Sequence, residues 1–106
     1  MSFPTGGFFI IEEVSEIPHN LEYGGFRRLV VSGHVDFGII KMGDIICIPL
    51  VSGMHYHQRI HSIQILRNQF TEVTPTKGKV SLIFKSPEIK PEDIKIDLAY
   101  VMPLAY

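Results

Sequence analysis

The stretch Arg28–Leu50 constrains the fold of this chain more than any other part of the sequence. It contains two apolar runs rich in β-branched residues, Leu29–Val35 and Ile45–Leu50, with Gly38 and Gly43 between them. β-Branched side chains lose little rotamer freedom in a pleated strand, and glycine reaches positive φ angles without steric cost. The stretch therefore predicts two β-strands joined by a turn-rich connection.

Similar short apolar runs recur along the chain, and no segment shows a sustained apolar period of 3.6 residues. Six strands are expected: Phe8–Val14, Phe26–Val35, Ile45–Leu50, Arg59–Arg67, Val80–Phe84 and Lys95–Met102. Val51–Gln58 is predicted as a loop, and the broken alternation that follows predicts a bulge near His61 and Ser62. One helical turn is expected at Pro91–Ile94, because proline and acidic residues suit a helix N-terminus.

Six short strands in a small chain predict an all-β fold. Closure of the sheet removes exposed edges, so the expected architecture is a six-stranded closed antiparallel β-barrel. The chain has 106 residues, of which 45% are hydrophobic and 20% charged. This is the size and composition of one globular domain, here residues 1–106.

The net charge, the short apolar runs and the single cysteine indicate in which cellular compartment the protein is expected. The net charge is −1, so no overall field directs the protein to nucleic acid or to an anionic membrane. The apolar run Phe8–Ile11 is too short for a signal peptide or a membrane span. Cys47 lies in an apolar run, which predicts a buried free thiol and fits a reducing compartment. We therefore expect a cytoplasmic protein without a membrane partner.

Several segments carry a family resemblance, in order and at similar spacing. They are F-F-I-I-E-E-V (8–14), L-V-V-S-G-H-V-D-F-G-I-I-K-M-G-D (29–44), I-H-S-I-Q-I-L-R (60–67), K-G-K-V-S-L-I-F (77–84) and I-K-P-E-D-I (89–94). Through them the chain resembles the second domain of translational GTPases, most closely that of elongation factor Tu. The G-x-V-x-x-G-x-I-K-x-G core is the most specific part. The resemblance implies the six-stranded barrel of translation proteins, in agreement with the strand pattern.

The resemblance also implies candidate ligand-binding residues. In elongation factor Tu this barrel helps to hold the aminoacylated 3′ end of tRNA. The matching positions are Glu12, Glu13, Ser15, Gln64, Arg67 and Lys79. The two glutamates and the arginine keep chemistry close to the family pattern. The other three depart from it, since the family has an aromatic residue, a glutamate and an asparagine there.

Enzymatic activity has no support in the sequence. The GTPase domain that precedes this barrel in the family is not in this sequence, and no G-x-x-x-x-G-K-[ST] phosphate loop occurs. We therefore expect no binding of a nucleoside triphosphate by the chain alone. Ser32 and Ser81 lack a nucleophile motif. Glu12 and Glu13, as neighbours in a strand, are expected to point to opposite faces. The prediction is a non-enzymatic module without a cofactor.

Two further sets of residues have open interpretations. His55, His57 and His61 have a spacing at which imidazoles bind zinc or copper, although surface histidines are the preferred interpretation because no acidic residue or cysteine lies nearby to orient them. Seven basic residues form either a solvated charged face or an RNA contact: Arg27, Arg28, Arg59, Arg67, Lys77, Lys79 and Lys85.

The favoured function is a translation-factor-type barrel that contacts RNA, either tRNA or the ribosome, or a translation-related protein. One alternative is a protein-interaction scaffold unrelated to translation. The other is a metal-binding protein that uses His55, His57 and His61.

Overall fold

The computed structural model describes residues 6–17, 27–85 and 87–102, and within these ranges the chain is built from β-strands. The strands are β1 (Phe8–Ile17), β2 (Arg28–Phe37), β3 (Ile40–Lys41), β4 (Ile45–Pro49), β5 (His55–Arg59), β6 (Ser62–Ile65), β7 (Asn68–Phe70), β8 (Glu72–Val73), β9 (Lys79–Lys85) and β10 (Leu98–Val101). Two 3₁₀ turns, Pro75–Lys77 and Pro91–Asp93, are also present. The all-β class and the helical turn near residue 91 are confirmed. The described ranges include no helix long and apolar enough to cross a bilayer.

Eight strands form one antiparallel sheet, in the order β5-β4-β10-β1-β2-β9-β6-β7, and β3 pairs with β8. Strands β1, β2, β4 and β9 match four predicted strands to within a few residues. The loop predicted at Val51–Gln58 is wrong in its second half, because β5 pairs with β4 from His55 to Arg59. In β5, exposed polar residues alternate with half-buried ones, so the apolar alternation that marks a strand is weak. The segment forms a strand because it pairs with β4.

The chain bends sharply between β5 and β6, which lie near opposite ends of the strand order. Only Ile60 and His61 separate them. The Ile60 amide donates a hydrogen bond to Asp44 O, directly before β4, at 2.9 Å. The His61 amide donates a hydrogen bond to Ile83 O of β9, also at 2.9 Å. The single strand predicted at Arg59–Arg67, with a bulge near His61 and Ser62, is therefore wrong, because β5 ends at Arg59, β6 begins at Ser62 and the chain bends between them. The hydrogen-bonded order remains linear, with β5 and β7 at its ends, so the six-stranded closed barrel stays a prediction.

The core lies on one face of the sheet. Alternate residues of each central strand point into it, and the largest side chains that are almost fully buried there include Phe9, Ile11, Leu29, Val31, Ile63, Leu82 and Phe84. We call the opposite side of the β1, β2, β9 and β6 ladders the outer face. Cys47 is buried and free, as predicted. It lies outside the main apolar cluster, and its ladder partners are Tyr100 and His57.

Arg27 links the start of β2 to the segment that follows β9. Its Nη2 donates to Ile89 O at 2.8 Å and its Nη1 donates to Pro87 O at 3.4 Å. Its Nε lies 2.5 Å from Glu16 Oε1, an ion pair outside hydrogen-bond geometry. The guanidinium thus joins three parts of the chain through one side chain.

Replacing Arg27 by alanine is expected to destabilise the fold by about 1–3 kcal/mol, because two part-buried carbonyl groups lose a charged donor. Urea denaturation followed by circular dichroism measures the change. Arg67→Ala is the matched control, since Arg67 is exposed at a hairpin turn, and its effect should stay within about 0.5 kcal/mol. Equal effects of the two substitutions would contradict the linking role of Arg27.

Candidate functional site

A row of polar residues crosses the outer face from β1 to β6. Cα pairing places Glu13 opposite Ser32, Ser32 opposite Ser81, and Ser81 opposite Gln64. Residues directly opposite each other in a ladder carry their side chains on the same face, and the Oγ atoms of Ser32 and Ser81 are 2.9 Å apart. The structure therefore brings Glu13 and Gln64, two residues predicted to bind ligand, onto one row.

Charged pairs surround the β1 end of this row. Lys79 Nζ lies 3.4 Å from Glu13 Oε2, and His34 Nδ1 lies 3.0 Å from Glu12 Oε1. Lys79 and His34 are themselves ladder partners, so Glu12 and Glu13 both reach partners on the outer face. The expectation that the two glutamates point to opposite faces is wrong, because the register shifts between Ile11 and Glu13.

The remaining candidates implied by the family resemblance lie apart from these pairs. Arg67 is exposed in the two-residue turn of the β6–β7 hairpin, where Ile65 pairs with Asn68. Its neighbour Leu66 is 91% exposed and has a φ of 58°, a backbone conformation that residues other than glycine rarely adopt. Ser15 is exposed on β1 opposite Val30. The structure thus gathers Glu12, Glu13 and Lys79 and leaves Arg67 at a hairpin tip.

The three histidines do not form one cluster. His55 and His57 are exposed on β5, whereas His61 follows the bend at the buried Ile60. Within the described ranges, no group of three or more His, Cys, Asp or Glu side chains could hold a metal ion. His61 instead faces two depressions in the surface.

These depressions adjoin each other along β6, β9 and the turn before β4. The first has a volume of about 440 Å³, and its lining includes Met42, Gln58, Arg59, His61 and Lys85. The second has a volume of about 270 Å³, and its lining includes Arg28, Met42, His61, Ser62, Gln64 and Ile83. Because Met42 and His61 line both, we treat the two as one feature and call it the basic groove.

The sequence carries only part of the information that defines the basic groove. Arg28, Arg59 and Lys85 belong to the predicted set of basic residues, but nothing in the sequence places them together. Arg28 and Lys85 meet because they are ladder partners of β2 and β9. Gln58 was missed because the segment that contains it reads as a loop.

Two ionisable groups near β10 have shifted pKa values. The Leu98 amide donates to Asp97 and, with Lys95, lowers the pKa of that exposed carboxyl group. A hydrogen bond with Cys47 raises the pKa of Tyr100. Neither Asp97 nor Tyr100 is among the residues that line the basic groove.

No family model matches the chain, and none of the curated proteins matches it. Among solved structures, two crystal structures of translation elongation factor SelB from Methanococcus maripaludis share its fold, one of the apo form and one in complex with the GTP analogue GppNHp. In each case the TM-score is 0.65 at 16% sequence identity, over 91% of this chain and 18% of the SelB chain. The chain thus has a translation-factor-like β fold and spans less than a fifth of the length of SelB.

Proposed function

We propose that the chain is a non-enzymatic binding module of the type found as the second domain of translational GTPases, and that it contacts tRNA or ribosomal RNA. The observation that carries this proposal is the fold shared with translation elongation factor SelB over 91% of the chain. The order and spacing of the motifs that resemble elongation factor Tu support the same assignment.

We further propose that the sheet closes into the barrel of that domain. The bend at Ile60 and His61 supports closure, because β5 and β6 are consecutive in the chain but pair with β4 and β9, which three strands separate in the sheet order. A sheet that contains both ladders has to curl until its two sides approach each other. Closed sheets avoid the exposed edges that promote aggregation.

The outer face is the proposed contact surface. Glu12, Glu13, Gln64 and Lys79 lie on this side of the sheet, and Arg67 lies at the hairpin that continues it. Their side chains are polar and at least partly exposed, as a surface that binds a hydrated nucleic acid requires. The absence of a phosphate-loop motif from the sequence supports a binding role without hydrolysis of a nucleoside triphosphate. The buried free thiol of Cys47 supports a cytoplasmic location.

Sedimentation through a sucrose gradient tests this function. Tagged protein in a cell lysate is expected to migrate with ribosomes or to carry tRNA, and digestion with ribonuclease should release it to the top of the gradient. Protein that sediments alone before digestion, and carries no tRNA after purification, would overturn the proposal.

A protein-interaction scaffold unrelated to translation is a second candidate. The observation that favours it is an exposed apolar patch made by Phe8, Phe37, Leu98 and Tyr100, with exposed fractions from 38% to 64%. The rings of Phe8 and Phe37 lie 6.1 Å apart, and Phe8 pairs with Tyr100 across the β1–β10 ladder. Exposed apolar patches of this kind mark protein contacts. Partners that survive ribonuclease unchanged and are lost in Phe37→Ser would favour this candidate.

A further inference from the structure

We infer that two copies of this chain associate through an apolar part of the sheet surface, with the same residues in contact on both sides. This surface lies on β1, β2, β4 and β10, on the side of the sheet away from the core, and we call it the apolar face. The inference goes beyond the proposed function, because it assigns a protein contact to residues that the proposed RNA contact does not include. The apolar face consists of Phe8, Ile10, Phe37, Ile45, Leu98 and Tyr100.

Strand pairing places the residues of the apolar face side by side. Phe8 lies opposite both Phe37 of β2 and Tyr100 of β10, and Ile10 lies opposite Leu98. Residues directly opposite each other in a ladder carry their side chains on the same face. The residues that alternate with them along each strand are buried in the core, so the side chains of the apolar face point away from it.

The exposed apolar area is close to what a dimer needs. Phe37 is 64% exposed, and Phe8, Leu98 and Tyr100 are each 38–39% exposed. At about 200 Å² for a large apolar side chain, these fractions and the two half-buried isoleucines leave roughly 400 Å² of apolar surface accessible. Apolar atoms make up about 60% of an interface. The apolar face therefore corresponds to an interface of about 700 Å² per copy, within the range of specific protein complexes.

The chemistry of this surface favours a second copy over RNA as its partner. Every residue of the apolar face is uncharged, whereas phosphate contacts depend on lysine and arginine side chains. An aromatic sheet face is complementary to itself, because rings pack against each other in offset or edge-to-face geometry and sheets stack face to face. The net charge of −1 leaves only weak repulsion between copies.

Polar residues border the apolar face. His34 is the ladder partner of Ile10 in β2, and His57 of β5 lies in the same row as Tyr100, two strands away. Asp36 is exposed at the end of β2. An apolar centre with a polar rim is the usual anatomy of a specific protein interface. A contact that uses the same surface on both copies closes after two copies, so the expected species is a dimer.

Sedimentation equilibrium of purified, ribonuclease-treated protein between about 5 and 500 μM tests the inference. The wild type is expected to shift from monomer to dimer, with a Kd on the order of tens of micromolar. Phe37→Ser should raise the Kd about tenfold or more, because it removes the most exposed ring of the contact. Leu66→Ser is the matched control, since Leu66 is 91% exposed at the β6–β7 hairpin, and its Kd should stay within about twofold of the wild type.

Urea denaturation at about 5 μM, where the wild type is monomeric, shows whether each variant is folded. Amide NMR spectra over the same concentration series locate the contact. Signals from β1, β4 and β10 beside the apolar face are expected to move with concentration, and signals from β6 and β9 are expected to stay in place.

Three results would overturn the inference. The first is a wild type that remains monomeric throughout the series, including one whose apolar-face signals respond to an RNA oligonucleotide instead. The second is an unchanged Kd in the folded Phe37→Ser variant. The third is a set of concentration-dependent shifts confined to β6 and β9.

The dimer and the proposed RNA contact can fail independently. Because the sedimentation experiment uses protein freed of RNA, a monomeric result leaves the proposed function intact. A wild type that dimerises but neither migrates with ribosomes nor carries tRNA would overturn the proposed function and leave the dimer intact.

Discussion

Gly33→Ala is expected to abolish cooperative folding, with a loss of more than about 4 kcal/mol. A Cβ atom at this position would lie 1.8 Å from Ile10 O and 2.9 Å from Ile10 C. Both are backbone atoms of the adjacent strand β1, so no side-chain rotation relieves the overlap. Phe9 Cε2, from a buried ring of the core, would lie 3.1 Å away. The substitution therefore forces apart the longest ladder of the sheet.

Circular dichroism during urea titration measures this effect, and Gly53→Ala is the matched control. Gly53 has a φ of 92° and no atom within 4 Å of its ideal Cβ position. Its substitution introduces backbone strain alone, which costs about 1–2 kcal/mol. A Gly33→Ala protein as stable as Gly53→Ala would show that β1 and β2 do not approach as closely as described.

Phe84→Ala is expected to destabilise the protein by about 3–5 kcal/mol. Phe84 has an exposed fraction of 0%, and its ladder partner Leu29 has the same exposure. Removal of the ring deletes apolar contacts and leaves a cavity that a tightly paired sheet cannot close. A domain of this size has a total stability of about 5–15 kcal/mol, so the variant should be close to unfolding at physiological temperature.

Phe37→Ala provides the comparison for the same chemical change at the surface. Phe37 is 64% exposed and contacts the ring of Phe8, so its truncation should cost less than about 1 kcal/mol. Thermal and urea denaturation of both variants give the difference. If Phe37→Ala is as damaging as Phe84→Ala, Phe37 is more buried in solution than its exposed fraction of 64% indicates.

The local features of the fold follow from the sequence. Gly38 and Gly43 have φ angles of 78° and 88°, as their predicted place in turns requires. Cys47 is buried as a free thiol, and the 3₁₀ turn beginning at Pro91 matches its predicted position. Each of these depends on a few neighbouring residues, so short sequence patterns are sufficient to predict them.

Features that depend on pairing between strands far apart in the sequence are harder to predict from the sequence. Strand β5 has a weak apolar pattern and becomes a strand because β4 supplies its hydrogen bonds. The sequence does not predict the linear order of the strands either, because the bend at Ile60 and His61 determines which strands β5 and β6 pair with. The residue pattern along a strand predicts which residues lie on each of its two faces, but it does not predict which strands it pairs with.

The candidate site also combines residues that the sequence predicts with relations that depend on strand pairing. Glu12, Glu13, Gln64, Arg67 and Lys79 came from a family resemblance, and the structure places four of them on the outer face. Strand alternation alone gave the wrong relation between the two glutamates, because it cannot reveal a register shift. The basic groove was not predicted, because its cations come from three strands whose register only the structure supplies.

Ultraviolet crosslinking in native cells, followed by sequencing of the RNA attached to the purified protein, tests the central claim most directly. The proposed function predicts crosslinked fragments of tRNA or ribosomal RNA, enriched over those recovered with an unrelated β-protein of similar charge and abundance. Recovery of no more tRNA and ribosomal RNA than with that control protein would contradict it.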